Sequence, residues 1–444
     1  MANSVEAQPK ARSFRARMSR NLSWTFGSQL FISVAAVATL FITARALGPT
    51  NLGILALVEA FVRIVDLIVR LEPWQAVIKY AIGAQDRRDA PAFLRLIKLS
   101  ILIDAFGGIL SGLTCIILAS FIAPMIGLSD ESGAQYIWFV AFGLFFSYRS
   151  TATAILRIFD RFDLLARIDM ITALIRLALT VIAWASGLGI WAFLALLLAQ
   201  SLMDGLVAFF CALKELHRHG YHGVRAASGL QALRENPGFL RFLWNSNFNV
   251  ILRQSANRFD ILVLGAMMNP AAVGIYQLGK RVMNRVTKLA GPIRQTIYPE
   301  LARLWEQGKI AQFNRVVLIV SVSILMMQLV VALPIMLNME WVIERLFGNA
   351  YAGAGPVMNI LLGSSIIFAS GVALNPALLS MGKDRILVRV TVISTVLFAA
   401  SFLPFVHLWG VEGAAFSNLV FNLSWTIGCM LAFRRVRAKS GTPS

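Results

Sequence analysis

The chain has 444 residues, 58% of them hydrophobic and 14% charged, with 41 Lys and Arg against 22 Asp and Glu for a net charge of +19. Together with a mean hydropathy of +0.70, this composition excludes a soluble globular enzyme. The positive balance does not read as a nucleic-acid footprint, because most basic residues fall in alternate loops between apolar stretches, the distribution that sets membrane topology.

A basic segment, 1–21, precedes an apolar run that starts at Trp24. That run is longer than the apolar region of a signal peptide, so an uncleaved first span is expected. Stretches long enough for a hydrocarbon core of about 30 Å then recur near 22–46, 52–80, 94–123, 135–157, 166–187, 189–213, 241–267, 271–300, 314–337, 354–381, 387–408 and 411–433. Twelve helical spans are predicted, in an all-α polytopic membrane protein. The first six form an N-terminal bundle (22–213) and the last six a C-terminal bundle (241–433). A loop (214–240) joins the two bundles, and a tail (434–444) closes the chain.

The loops sort by charge. One set holds "KARSFRARMSR", "QDRRDAPAFLR", "KELHRHGYHGVR", "GKDR" and the tail "RRVRAK". In the other set Arg345 is the only Lys or Arg, with Arg45 at its margin. This asymmetry predicts both termini on the cytoplasmic side and so an even number of spans. The outer loops are too short to house a catalytic domain. In "HRHGYH", His217, His219 and His222 have only Glu215 beside them and Arg218 between them. A basic interfacial segment therefore fits better than a metal site. Cys115, Cys211 and Cys429 lie in apolar segments without metal-ligand spacing, and no cofactor or metal is expected.

"LGPTNLGILAL" (47–57) aligns with "MNPAAVGIYQL" (268–278), pairing Pro49 with Pro270, Gly53 with Gly274, Ile54 with Ile275 and Leu57 with Leu278. Both occupy the outer turn between the first and second span of a half. This pattern predicts a parallel repeat, with two six-helix bundles related by a pseudo-two-fold axis along the membrane normal.

Charges inside spans mark candidate sites. On the second span Glu59, Arg63, Asp66 and Arg70 share one helical face. They form either an ion-pair ladder at a helix seam or a gating or ion-coupling face, with Asp260 as a further candidate. The eighth span differs: Lys280, Arg281, Arg285 and Lys288 crowd one side, and no carboxylate occurs between Asp260 and Glu300. Four central charges would cost on the order of 10 kcal/mol in lipid. The face must line water, meet carboxylates or hold an anionic ligand, unless the whole helix lies on the membrane surface and inverts every later loop. On the seventh span Arg253 and Arg258 add positive charge. Arg149, Arg176, Asp104 and Asp204 are further charges within spans. Pro73 and Gly291-Pro292 fall late in the second span of each half and predict a break or kink there.

Four stretches, "ARALGPTNLGILAL", "RFDILVLGAMMNPAAVGIYQLGKRV", "LFGNAYAGAGPVMNIL" and "WGVEGAAFSNLV", resemble the polysaccharide transporters, the Wzx-type oligosaccharide flippases of the MOP superfamily. The likeness extends over essentially the whole chain but rests on turn and packing residues, not substrate contacts. It implies a MATE-like flippase fold with a central cavity that opens alternately to each side. The implied cargo is an oligosaccharide on an undecaprenyl-pyrophosphate type carrier, destined for O-antigen, capsule or exopolysaccharide. Membrane lipids, a polymerase and chain-length machinery would be partners. The cations Lys280, Arg281, Arg285, Lys288, Arg253 and Arg258 would meet its pyrophosphate or acidic sugars. A multidrug/cation antiporter of the same superfamily is the alternative, although it should favour unpaired acids. A lipid II flippase would be expected to have fourteen spans, and a glycosyl-transfer enzyme a large outer loop.

Overall fold

The computed structural model describes residues 9–128, 132–288 and 291–440, with side chains undescribed at 9–26, 249, 252–257, 291–292, 294–296 and 438–440. Every element among the described residues is helical. The chain divides into two compact units. One holds Val58–Phe259 with the start of the chain up to Thr39, and the other holds Leu40–Leu57 with Asp260–Ser444.

Helix α1 (Pro9–Val69) contains two arms joined at Gly48, whose φ of 68° lies where a side chain is strained. Pro49 follows, with a φ suited to the first turn of the second arm. The chain leaves the helix at 70–73 and resumes as α2 (Trp74–Asp86). Helix α3 (Ala90–Met125) starts at Asp89, whose carboxylate accepts the Ala92 amide at 3.0 Å, as an N-cap should. Helix α4 (Ser132–Ala141) tightens into a 3-10 turn at Phe142–Phe146 before α5 (Arg149–Ile158). Helices α6 (Phe162–Ala185) and α7 (Ile190–Leu202) follow, and a π turn at Met203–Val207 leads into α8 (Ala208–Arg218). Short α9 (Gly229–Glu235) lies in the connecting segment, and α10 (Phe239–Met267) leads into the second unit.

One core of the first unit, around Val77, Phe93, Ile97, Leu156 and Leu216, sits among the ends of helices that carry basic loops. Ion pairs tie those loops together. Arg95 meets Glu235 at 2.9 Å, and Arg161 pairs with Glu215 and, at 3.2 Å, with Asp163. Burial alone would lower the Arg161 pKa, but its hydrogen bonds to Glu215 and Asp163 hold it above its ordinary value. His217 and His219 each meet a backbone carbonyl through Nδ1, those of Leu213 at 2.7 Å and Glu215 at 2.9 Å.

In the second unit, α11 (Pro270–Lys288) begins where the Asn269 side chain accepts the Ala272 amide at 2.9 Å. Then come α12 (Gly291–Glu306), α13 (Ile310–Leu337), α14 (Met339–Val342), α15 (Gly355–Gly371), α16 (Leu374–Ser380) and α17 (Asp384–Ser440), which bends at Gly410. The repeated motif meets itself here. A Cβ on Gly53 would collide with the Pro270 carbonyl, and a Cβ on Gly274 with the Pro49 carbonyl. Each copy thus offers a bare glycine to the proline of the other, a reciprocal contact in which only glycine allows the backbones so close. Nearby, Tyr351 is fully buried and donates to the Ala44 carbonyl at 3.1 Å, beside Leu52, Leu278 and Phe347.

Seven stretches among the described residues are long and apolar enough to cross a membrane: 90–125, 132–158, 162–185, 190–218, 310–337, 349–380 and 384–437, the last containing both arms of α17. Helices α1, α10, α11 and α12 fall outside that set. They supply the first two spans of each half and carry most of the candidate site residues.

Candidate functional site

In the first unit three helices lose their regular hydrogen bonding close together. The second span opens at 70–73, the fourth at Ser147–Tyr148, and the sixth bulges at 203–207. Arg70 links the first two by donating to the Ser147 carbonyl at 3.1 Å, while Gly205 packs against the carbonyl of Phe146. Broken backbone inside a membrane is tolerated only where its polar groups find partners. Here one side chain serves Glu72 twice. The Asn247 amide oxygen accepts the Glu72 N–H at 2.8 Å, and its nitrogen donates to the Glu72 carbonyl at 3.2 Å. Ser150 Oγ accepts the Trp74 amide at 3.1 Å.

Charge collects around these breaks. Arg70 pairs with Asp66 at 3.2 Å, both nearly buried, while the second Asp66 oxygen has no hydrogen bond. Asp104 is buried and accepts both the Thr151 amide, at 2.7 Å, and its hydroxyl, at 2.6 Å. Arg149 pairs with Asp169 at 2.5 Å, and Arg176 donates to Gln200. Asp204, in the π turn, lies within electrostatic reach of Arg149, Asp169 and Arg63. Arg63, Asp66, Arg70, Glu72, Asn247 and Arg258 line a pocket of about 110 Å³, with Glu59 within electrostatic reach of Arg258. That volume holds an ion or a few waters but not a sugar ring.

The cationic face in the second unit is divided. Lys280 is 6% exposed and forms an ion pair with Asp260, to which Tyr276 also donates at 2.8 Å. All three are buried. The charge of Lys280 is therefore met by a carboxylate on the preceding helix and does not join the exposed row. Arg281 is half-buried and engaged. Arg285 is half-buried and Lys288 exposed, and neither has an ion pair or hydrogen bond among the described residues. Arg281 and Lys288 each lie within electrostatic reach of Arg285, so their positive fields add.

The structure thus brings Arg63, Asp66, Arg70 and Arg258 together at one pocket and aligns Arg281, Arg285 and Lys288 on one helix. The side chain of Arg253 lies outside the described residues, as do residues 289–290 directly before the expected break at Gly291-Pro292, where α12 starts. Sequence reasoning missed Asn247, although three asparagines in "NSNFN" inside an apolar span were a signal. It also missed a polar cluster in which Asn422 donates to Ser364 Oγ at 2.6 Å and Ser364 to Asn418 at 3.1 Å. The i,i+4 spacing of Asn418 and Asn422 was its trace.

Comparison with known proteins follows the same lines. The family described as "Polysaccharide biosynthesis protein" matches residues 42–356, well over half of the chain. Inner membrane protein YghQ of Escherichia coli (strain K12) is 24% identical over 290 residues, covering 64% of this chain and 80% of that protein. An inward-facing MATE family multidrug resistance transporter of the MOP superfamily superposes with a TM-score of 0.71 at 14% identity, covering 93% of this chain and 96% of the other. The lipid II flippase MurJ, in an inward closed conformation, gives 0.68 at 10% identity, covering 93% and 87%. At such identities the likeness is one of fold, the twelve-helix all-α architecture of MOP transporters. The chain is a multi-pass membrane protein, and it belongs to the polysaccharide biosynthesis protein family.

Proposed function

We propose that the chain flips a polyprenyl-pyrophosphate-linked oligosaccharide across the bacterial inner membrane by alternating access, supplying O-antigen, capsule or exopolysaccharide assembly. The observation that carries this reading is the pair Arg285 and Lys288, cations within a span that have no carboxylate partner among the described residues. The acid-free run from 261 to 299 leaves few ways to compensate them locally. A pyrophosphate offers the missing charge and several acceptors, which guanidinium and ammonium groups bind strongly away from bulk water. Arg281, Arg258 and Arg253 would add to the attraction. Lys280, already paired with Asp260, would act through packing instead. The family description and the lipid II flippase among the structural neighbours support a lipid-linked cargo. The charge asymmetry of the loops supports both termini on the cytoplasmic side. In this reading a polymerase and its chain-length machinery use the flipped product.

Replacing Arg285 and Lys288 together by Gln removes two charge-assisted contacts worth about 1.5–3 kcal/mol each. Export of the polysaccharide should therefore fall at least about a hundredfold, while the amount of protein in the membrane stays unchanged. Immunoblotting of membranes beside quantification of surface glycan reads both. Normal export by this variant contradicts the proposal. Loss of drug efflux with unaltered glycan would instead point to the multidrug/cation antiporter.

A further inference from the structure

A second cluster of cations lies far along the chain from these sites, in the second unit. The two arms of α17 touch where Val390 faces Gly428: a Cβ at position 428 would stand 2.7 Å from a Val390 methyl. From that contact a groove of about 1000 Å³ runs toward Lys383 on one side and Val436 on the other. Its walls are apolar, with Ile386 and Val390 on one arm and Leu431 and Ala432 on the other. Met381 and the half-buried Trp305 complete the lining. Three cations, Lys383, Arg389 and Arg435, also line it, all exposed, and no carboxylate among the described residues does. Asp384 stands beside Lys383 in the chain but is not part of the groove. Leu431 is 48% exposed, and the neighbouring Val388, Val392 and Ile427 are also open, an apolar surface suited to lipid on a stretch long enough to span a bilayer.

We propose that this groove holds one anionic phospholipid of the leaflet nearer the C-terminal tail. Its phosphate meets Lys383, Arg389 and Arg435, and an acyl chain lies against Ile386, Val390 and Leu431. Charge complementarity selects the occupant. A zwitterionic head would set its own cation against three others, whereas an anionic head neutralises them. Cations from two different arms converge on one apolar slot, which distinguishes it from the diffuse attraction of any basic loop to a charged leaflet. Arg389 lies deeper than Lys383 and reaches the headgroup level by extending its apolar stem along the wall. The pairing uses residues distinct from Arg285 and Lys288, so it holds whatever cargo the protein carries.

Native mass spectrometry of the full chain, purified in detergent and supplied with cardiolipin, phosphatidylglycerol, phosphatidylcholine or undecaprenyl diphosphate, tests the proposal. Cardiolipin and phosphatidylglycerol should be retained over phosphatidylcholine. The preference should fall about fivefold for each cation removed, in R389Q and in R389Q/R435Q. An equal loss of charge elsewhere, in R87Q/R88Q, should leave it unchanged. A thermal unfolding profile like that of the unaltered protein verifies that the variants are folded, and K383Q supplies a further site if either is not. Equal retention of the anionic lipids by R389Q/R435Q overturns the proposal, as does a matching loss in R87Q/R88Q. Preferential, displaceable binding of undecaprenyl diphosphate in the same groove also overturns it and would assign the groove to a prenyl carrier.

Discussion

Lys280 occupies the interior of α11, and its position there depends on Asp260. A buried ammonium with no counter-charge is disfavoured by several kcal/mol, and the Asp260 carboxylate, which also accepts from the Tyr276 hydroxyl, offsets that cost. Asp260→Asn should therefore destabilise the protein by about 3–5 kcal/mol. The double variant Asp260→Asn, Lys280→Met should recover most of the loss, because the two residues are energetically coupled. Thermal unfolding in detergent measures both, and additive losses would contradict the pairing. In the sequence, Lys280, Asn284 and Lys288 share one i,i+4 row and read as a single cationic face. The structure separates them, leaving Lys280 buried and Lys288 exposed. Spacing along one helix reports which residues share a face but not which neighbouring helix covers part of it. Asp260 stands on a different helix, and its pairing is a tertiary fact.

Among the elements, the break of the second span was legible and its repair was not. Pro73 announces a loss of helical hydrogen bonding, because it lacks an N–H and constrains the residue before it. The interruption falls at 70–73 and ends on this proline. Asn247, which satisfies both backbone groups of Glu72, lies 175 residues further along the chain. Asn247→Leu should leave a donor and an acceptor unmet and cost about 1–3 kcal/mol for each group that water cannot reach. Asn247→Gln, with a longer arm, should cost less if the amide can still turn back to Glu72. Amide hydrogen exchange across 70–77 would show faster exchange in Asn247→Leu, whereas unchanged protection would contradict this role. The repeated Pro–Gly turn was likewise visible as a pattern in 47–57 and 268–278. Its physical reason, glycine against the proline carbonyl of the other copy, appears only once the two turns meet.

For the whole molecule, composition and loop charge carried most of the information. Apolar stretches of span length follow from the thickness of a bilayer, so an all-helical, twelve-span chain could be read directly. The assignment of Leu40–Leu57 to the same compact unit as Asp260–Ser444 could not be read, because it depends on packing between segments distant in sequence. Cargo is the least legible property. A cationic face states the sign of its ligand, while sugar identity depends on a cavity lined by several helices. In the proposed function, Arg285 and Lys288 engage the anionic linkage of a prenyl-borne glycan during flipping. Reconstituted vesicles containing a fluorescent polyprenyl-pyrophosphate oligosaccharide test this most directly, by the fraction of label that an external quencher cannot reach over time. The unaltered protein should equilibrate the label between leaflets, and R285Q/K288Q should leave it near the protein-free rate. Equal flipping by both proteins, or none by the unaltered protein with its cognate glycan, would contradict the claim.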